Sequence, residues 1–74
     1  MRLDQYLHEN RISGAAFARL IGTSQVTVSR YVRGDRFPQP LTIAKIAKAT
    51  KGKVSVRDWY EQAAERLRTE EAAE

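Results

Sequence analysis

Seventy-four residues with no cysteine, 30% of them charged, suffice for one small domain and exclude a disulfide framework, a thiolate metal site and a cysteine nucleophile. The net charge of +4 is polarised: residues 1–57 carry eleven Lys/Arg against three Asp/Glu, a net +8, whereas residues 58–74 carry two against six, a net −4. A basic body of this kind attracts a polyanion, and a chain this short buries only about 60% of its extended surface, too little to enclose a substrate cavity unaided.

Apolar residues recur at helical spacing in five blocks separated by turn formers, with no sustained alternation, so the domain is expected to be all-α. The first block is Leu3, Tyr6 and Leu7, ending near Asn10. The second opens on Ser13 as N-cap, carries Ala16, Phe17, Leu20 and Ile21, and stops at Gly22. The third opens on Ser24, carries Val28, Tyr31 and Val32, and stops at Gly34. After the break Phe37-Pro38-Gln39-Pro40, the residues Ile43, Ile46, Ala47 and Thr50 form an i, i+3, i+4, i+7 stripe that ends at Gly52, with Lys45 and Lys48 on the opposite face.

An extended Lys53-Val54 leads to the fifth block, a C-terminal helix from about residue 55 that opens on Ser55-Val56-Arg57-Asp58, a variant of the capping box. Its stripe, Val56, Trp59, Tyr60, Ala63 and Leu67, assigns both aromatic residues to the core. Beyond Thr69 only alanine and glutamate remain. Residues 1–68 therefore read as the domain and 69–74 as an acidic, frayed tail.

No apolar run is long enough to span a bilayer and the N-terminus lacks a signal-peptide core, which points to a cytoplasmic protein with no membrane partner. The single histidine, His8, has no second imidazole to share a metal, and no nucleophile–base pair or phosphate loop is evident. Neither a catalytic residue nor a metal or cofactor is therefore expected, and the enzyme reading is the weakest.

The informative segment lies between the second and third blocks, where two helices are joined by only about three residues. So short a link forces a steep crossing. A small Ala18 permits the close approach, Gly22 takes the left-handed conformation that ends the first helix, and Val28 closes the core beneath the turn. On a wheel of about 100° per residue, Gln25, Ser29, Arg33, Val26 and Arg30 share one arc, while Val28, Tyr31 and Val32 take the opposite one.

One helix fits a major groove about 12 Å wide, and its N-terminal residues meet base edges first. Glutamine bonds adenine bidentately, arginine bonds guanine, and a small apolar side chain touches the thymine methyl. Gln25 and Arg30 are thus the expected direct readers, and Val26 the methyl contact. Thr27 and Ser29 flank that face with hydroxyls for phosphate or base, and Ser24 caps a first turn whose free N–H groups hold a phosphate oxygen.

These residues resemble the Cro/repressor-type, xenobiotic-response-element-like helix-turn-helix family of phage and bacterial regulators, over residues 1 to about 60. The likeness rests on Ala18, on Gly22-Thr23-Ser24-Gln25-Val26-Thr27-Val28-Ser29-Arg30-Tyr31, on Arg33-Gly34, and on the Pro40-Leu41-x-Ile43-x-x-Ile46-Ala47 helix. It is closest to short, single-domain members. It implies a five-helix bundle of the lambda-repressor-like type, with the helix-turn-helix at about residues 14–33, bound as a homodimer to a two-half-site double-stranded operator. Readout is implied at Gln25, Val26 and Arg30, and phosphate contact at Arg33 and Arg36. Many members open the second helix with a glutamine that clamps a phosphate; this chain has Ser13-Gly14 there, so the Ser13 hydroxyl or the Gly14 N–H is the candidate substitute.

Three functions follow in descending order. The first is a DNA-binding transcription regulator, a repressor that occludes promoter DNA because no further element is available to act. The second is an antitoxin or other interaction module whose acidic helix 58–74 neutralises a basic protein partner. The third is the enzyme already set aside. Phe37, Pro38, Pro40 and the uncovered part of the last helix are the candidate dimer surface.

Overall fold

The computed structural model describes residues 1–73, with side chains through Glu70. Five helices and no strand are present among the described residues: α1 (Leu3–Glu9), α2 (Gly14–Ile21), α3 (Gln25–Arg33), α4 (Pro40–Ala49) and α5 (Val56–Ala73). The helical pair expected at about 14–33 and the last helix expected from about 55 lie within a residue of those positions.

The starts of the helices follow from local chemistry. Ser13 Oγ accepts the N–H of Ala16 at 3.1 Å, and Ser24 Oγ accepts that of Thr27 at 3.2 Å, each satisfying a first-turn donor. Pro40 opens α4 where its missing N–H has no intrahelical partner to lose. Before α5, the backbone N–H and the hydroxyl of Ser55 both donate to Asp58 Oδ2, at 2.8 and 3.0 Å.

Leu3 and Leu7 of α1, Phe17, Ala18 and Ile21 of α2, Val28 and Tyr31 of α3, Ile43 and Ile46 of α4, and Trp59 of α5 close one core, joined by Val54 from the connection before α5. Full burial of a side chain such as Phe17 or Ile46 contributes about 1.5–3 kcal/mol. Trp59 sits edge-on to Tyr31, with ring centroids 5.9 Å apart, and so ties α5 to the back of α3.

Several expectations about the core need correction. Leu20 is 65% exposed and Ala16 is exposed, because α3 and α4 cover only the side of α2 that bears Phe17, Ala18 and Ile21. On α5 the apolar arc is wider than the contact: Trp59 is buried at its edge, whereas Tyr60 is 64% exposed and Val56, Ala63 and Leu67 also face solvent. Pro38, expected at the surface, is fully buried, while Phe37, Gln39 and Pro40 of that break are exposed.

The chain bends at Lys53 and Val54 instead of running extended, and Val54 drops into the core. Thr50 makes that bend possible. Its buried hydroxyl donates to Ile46 O at 2.8 Å and accepts the Val54 N–H at 3.1 Å, so the polar groups at the end of α4 are satisfied where water does not reach. No helix among the described residues is long and apolar enough to cross a membrane.

Candidate nucleic-acid interface

The turn between α2 and α3 is built by the backbone. Gly22 has φ +75°, and the space where its Cβ would lie is open, so the requirement is conformational and not steric. The Thr23 N–H returns to Ala18 O at 2.9 Å and closes the end of α2. Ala18 and Val28 are both buried beneath the turn, where a larger side chain at position 18 would push the two helices apart. At the other end of α2, Gly14 stands over α3: a Cβ there would lie 3.8 Å from Val28 Cγ1.

This crossing leaves α3 with two unlike sides. Val28 and Tyr31 are buried and Val32 half-buried, while Gln25, Val26, Arg30 and Arg33 are exposed and Ser29 is half-buried among them. Gln25 and Ser29 also line a concavity of about 350 Å³ together with Asp4, His8 and Gly14. Ser13 sits at the start of α2 with its oxygen engaged by Ala16. Thr27 is half-buried, its hydroxyl 2.9 Å from Ser24 Oγ, so those two side chains cap the helix together. Arg36 is exposed in the segment after α3.

The cations near this face differ in their partners. Arg30 and Arg36 enter no ion pair among the described residues. Arg33 Nε donates to Asp35 Oδ2 at 3.0 Å, and Asp35 Oδ1 accepts from Arg66 Nη1 at 2.7 Å. Arg66 in turn holds Glu70 at 3.0 Å. Arg66 first, then Arg33, keep the Asp35 carboxyl below the ordinary carboxylate range. The Arg33 guanidinium is thus steadied through Nε, with its two Nη groups outside the pair.

Sequence reasoning missed three parts of this support. Gln62 of α5 donates its side-chain amide to Tyr31 O at 2.9 Å and to Val32 O at 3.4 Å, adding a side-chain donor at the end of α3, where the Gly34 N–H also reaches Tyr31 O. Asp35, two residues past the end of α3, pairs with Arg66 of α5. Arg2 pairs with Glu65, bringing the start of the chain onto α5. These partners are separated by 30 to 63 residues, and no local periodicity marks them. The only hint was the acidic character of the last helix beneath a basic body.

A short-linked helix pair whose second member shows a polar, arginine-bearing side and is locked from behind defines a DNA-binding helix-turn-helix module. A family model described as helix-turn-helix matches residues 5–56, most of the chain, and the protein belongs to that family. The family is one of DNA-binding regulatory domains, so the chain is a double-stranded-DNA-binding protein. No curated protein and no solved structure matches it.

Proposed function

We propose that this protein is a sequence-specific transcription regulator, a Cro-like repressor of phage or bacterial type that sits in the major groove as a homodimer on two half-sites. The observation that carries the reading is the exposed polar face of α3, capped at its start and backed by Val28 and Tyr31. In this reading Gln25 and Arg30 bond base edges and Val26 meets a thymine methyl. Ser24, Thr27, Ser29, Arg33 and Arg36 take phosphates or flanking positions. At the start of α2 the Ser13 hydroxyl hydrogen and the Gly14 N–H replace the family's clamping glutamine. Half-site centres then lie about one helical turn, roughly 10 bp, apart. The acidic residues 69–74 take no part in DNA contact in this reading.

The test compares two arginines on the same helix by fluorescence anisotropy of labelled duplexes. Arg30→Ala is expected to lose about 1–3 kcal/mol at one base position and to relax preference there. Arg33→Ala is expected to weaken all sequences alike and to lower the salt slope by about one. Unchanged affinity and preference in Arg30→Ala overturn its assignment to readout.

A further inference from the structure

Asp35 is the one acidic residue between Asn10 and Arg57, and it stands between Arg33 and Arg36, the two arginines assigned above to phosphates. A carboxylate at that place opposes DNA binding twice over. It repels phosphate, and it competes with phosphate for the Arg33 guanidinium. The Arg66 and Arg33 guanidinium groups hold its carboxyl below the ordinary carboxylate range, so the charge is present at neutral pH and has to be compensated rather than lost to a proton.

The compensation comes from the acidic end of the chain. Asp35 Oδ1 accepts from Arg66 Nη1 of α5 at 2.7 Å, and Oδ2 accepts from Arg33 Nε at 3.0 Å. Arg66 is one of only two basic residues after Arg57, and Glu70 holds it from the other side through Nε at 3.0 Å. One turn earlier on α5, Gln62 is bonded to the end of α3, which sets the height at which Arg66 meets Asp35.

We propose that Arg66 is a positioning residue for DNA binding: by occupying Oδ1 of Asp35 it keeps that carboxylate from closing on Arg33, and so leaves the Arg33 Nη groups for a phosphate. This rests on the phosphate contact assigned to Arg33 above and extends it to a helix that was given no DNA contact. A carboxylate whose two oxygens are both available takes a guanidinium as a fork, through two parallel N–H bonds. With one oxygen turned to Arg66, only the Nε bond to Arg33 is made. Removing Arg66 therefore frees Asp35 to take Arg33 twice, and the phosphate loses its cation.

Fluorescence anisotropy of labelled duplexes over a range of salt concentrations tests this on the full chain. Arg66→Ala is expected to weaken all duplexes alike by about two- to fivefold, the range open to one exposed charge pair, and to lower the salt slope by about one. Asp35→Asn alone is expected to bind more tightly, because a repelling charge is gone. In that background Arg66→Ala is expected to change neither affinity nor slope, since no carboxylate remains to capture Arg33. Gln62→Ala, which loosens the same joint without touching Asp35, is expected to keep the wild-type slope. Circular dichroism should show equal helical content in all of these variants.

A wild-type slope in Arg66→Ala, the same loss in the Asp35→Asn background, weaker binding by Asp35→Asn alone, or an equal fall in slope for Gln62→Ala overturns the proposal. Arg33→Ala separates it from the reading on which it rests. If Arg33→Ala weakens binding and Arg66→Ala does not, only the role of Arg66 is lost; if Arg33→Ala changes nothing, the phosphate contact fails and Arg66 with it.

Discussion

Helices α3 and α5 each lay one side on the same core and leave the other to solvent, yet the open sides are chemically opposite. The nine residues of α3 expose Gln25, Arg30 and Arg33, whereas the longer α5 exposes Val56, Tyr60 and Leu67. The polar side is comfortable in water and gains by meeting phosphates and base edges; the apolar side gains only when another surface covers it. The two also differ in how firmly they are held. Helix α3 is fixed by its Ser24 cap, by Val28 and Tyr31 behind it, and by Gln62 at its last carbonyls. Helix α5 is fastened to the body chiefly through Trp59, Gln62 and the Asp35–Arg66 pair.

The sharpest way to break that contrast uses two adjacent aromatic residues. Trp59→Ala should cost about 3–5 kcal/mol in urea denaturation, because it empties the joint between α5 and α3. Tyr60→Ala should cost about 1 kcal/mol or less, the worth of its contact with Phe37. Equal losses would mean that α5 buries a different side from the one described.

The glycines at the two ends of α2 give a smaller and signed effect. Gly22→Ala places a Cβ at φ +75° and should destabilise by about 1–2 kcal/mol. Gly14→Ala meets only Val28 Cγ1 at 3.8 Å in helical backbone and should stabilise by about 0.5–1 kcal/mol. Thermal unfolding of both variants reads the pair, and a destabilised Gly14→Ala would show that α2 and α3 approach more closely than stated.

The gentlest probe is Gln62→Ala, expected to cost about 1 kcal/mol by removing the side-chain donor shared by the Tyr31 and Val32 carbonyls. Amide exchange should quicken at the C-terminal turn of α3 more than in α4. Uniform quickening would remove Gln62 as a specific support for that helix.

What the sequence displayed and what it hid divide by distance along the chain. The caps at Ser13 and Ser24, the left-handed Gly22 and the small Ala18 act within a few residues of where they stand, so spacing alone revealed the turn and the two sides of α3. Periodicity marks an apolar arc but not which part a neighbour will cover. That is why periodicity puts Leu20 and Tyr60 inside, whereas the core takes Phe17, Ala18 and Ile21 of α2 and Trp59 of α5. Thr50 looked like one more member of a stripe, and nothing local showed that its hydroxyl would serve a bend four residues later. Gln62 and Arg66 act on residues about thirty positions away, through a packing that no single stretch of sequence encodes.

The central claim is that the exposed side of α3 reads base edges, and selection of bound duplexes from a random pool tests it most directly. The wild-type chain should enrich one sequence in two symmetric half-sites, and Arg30→Ala should enrich the same site with its preference lost at a single guanine position. A pool that emerges unenriched, or an identical motif from both proteins, would contradict the account.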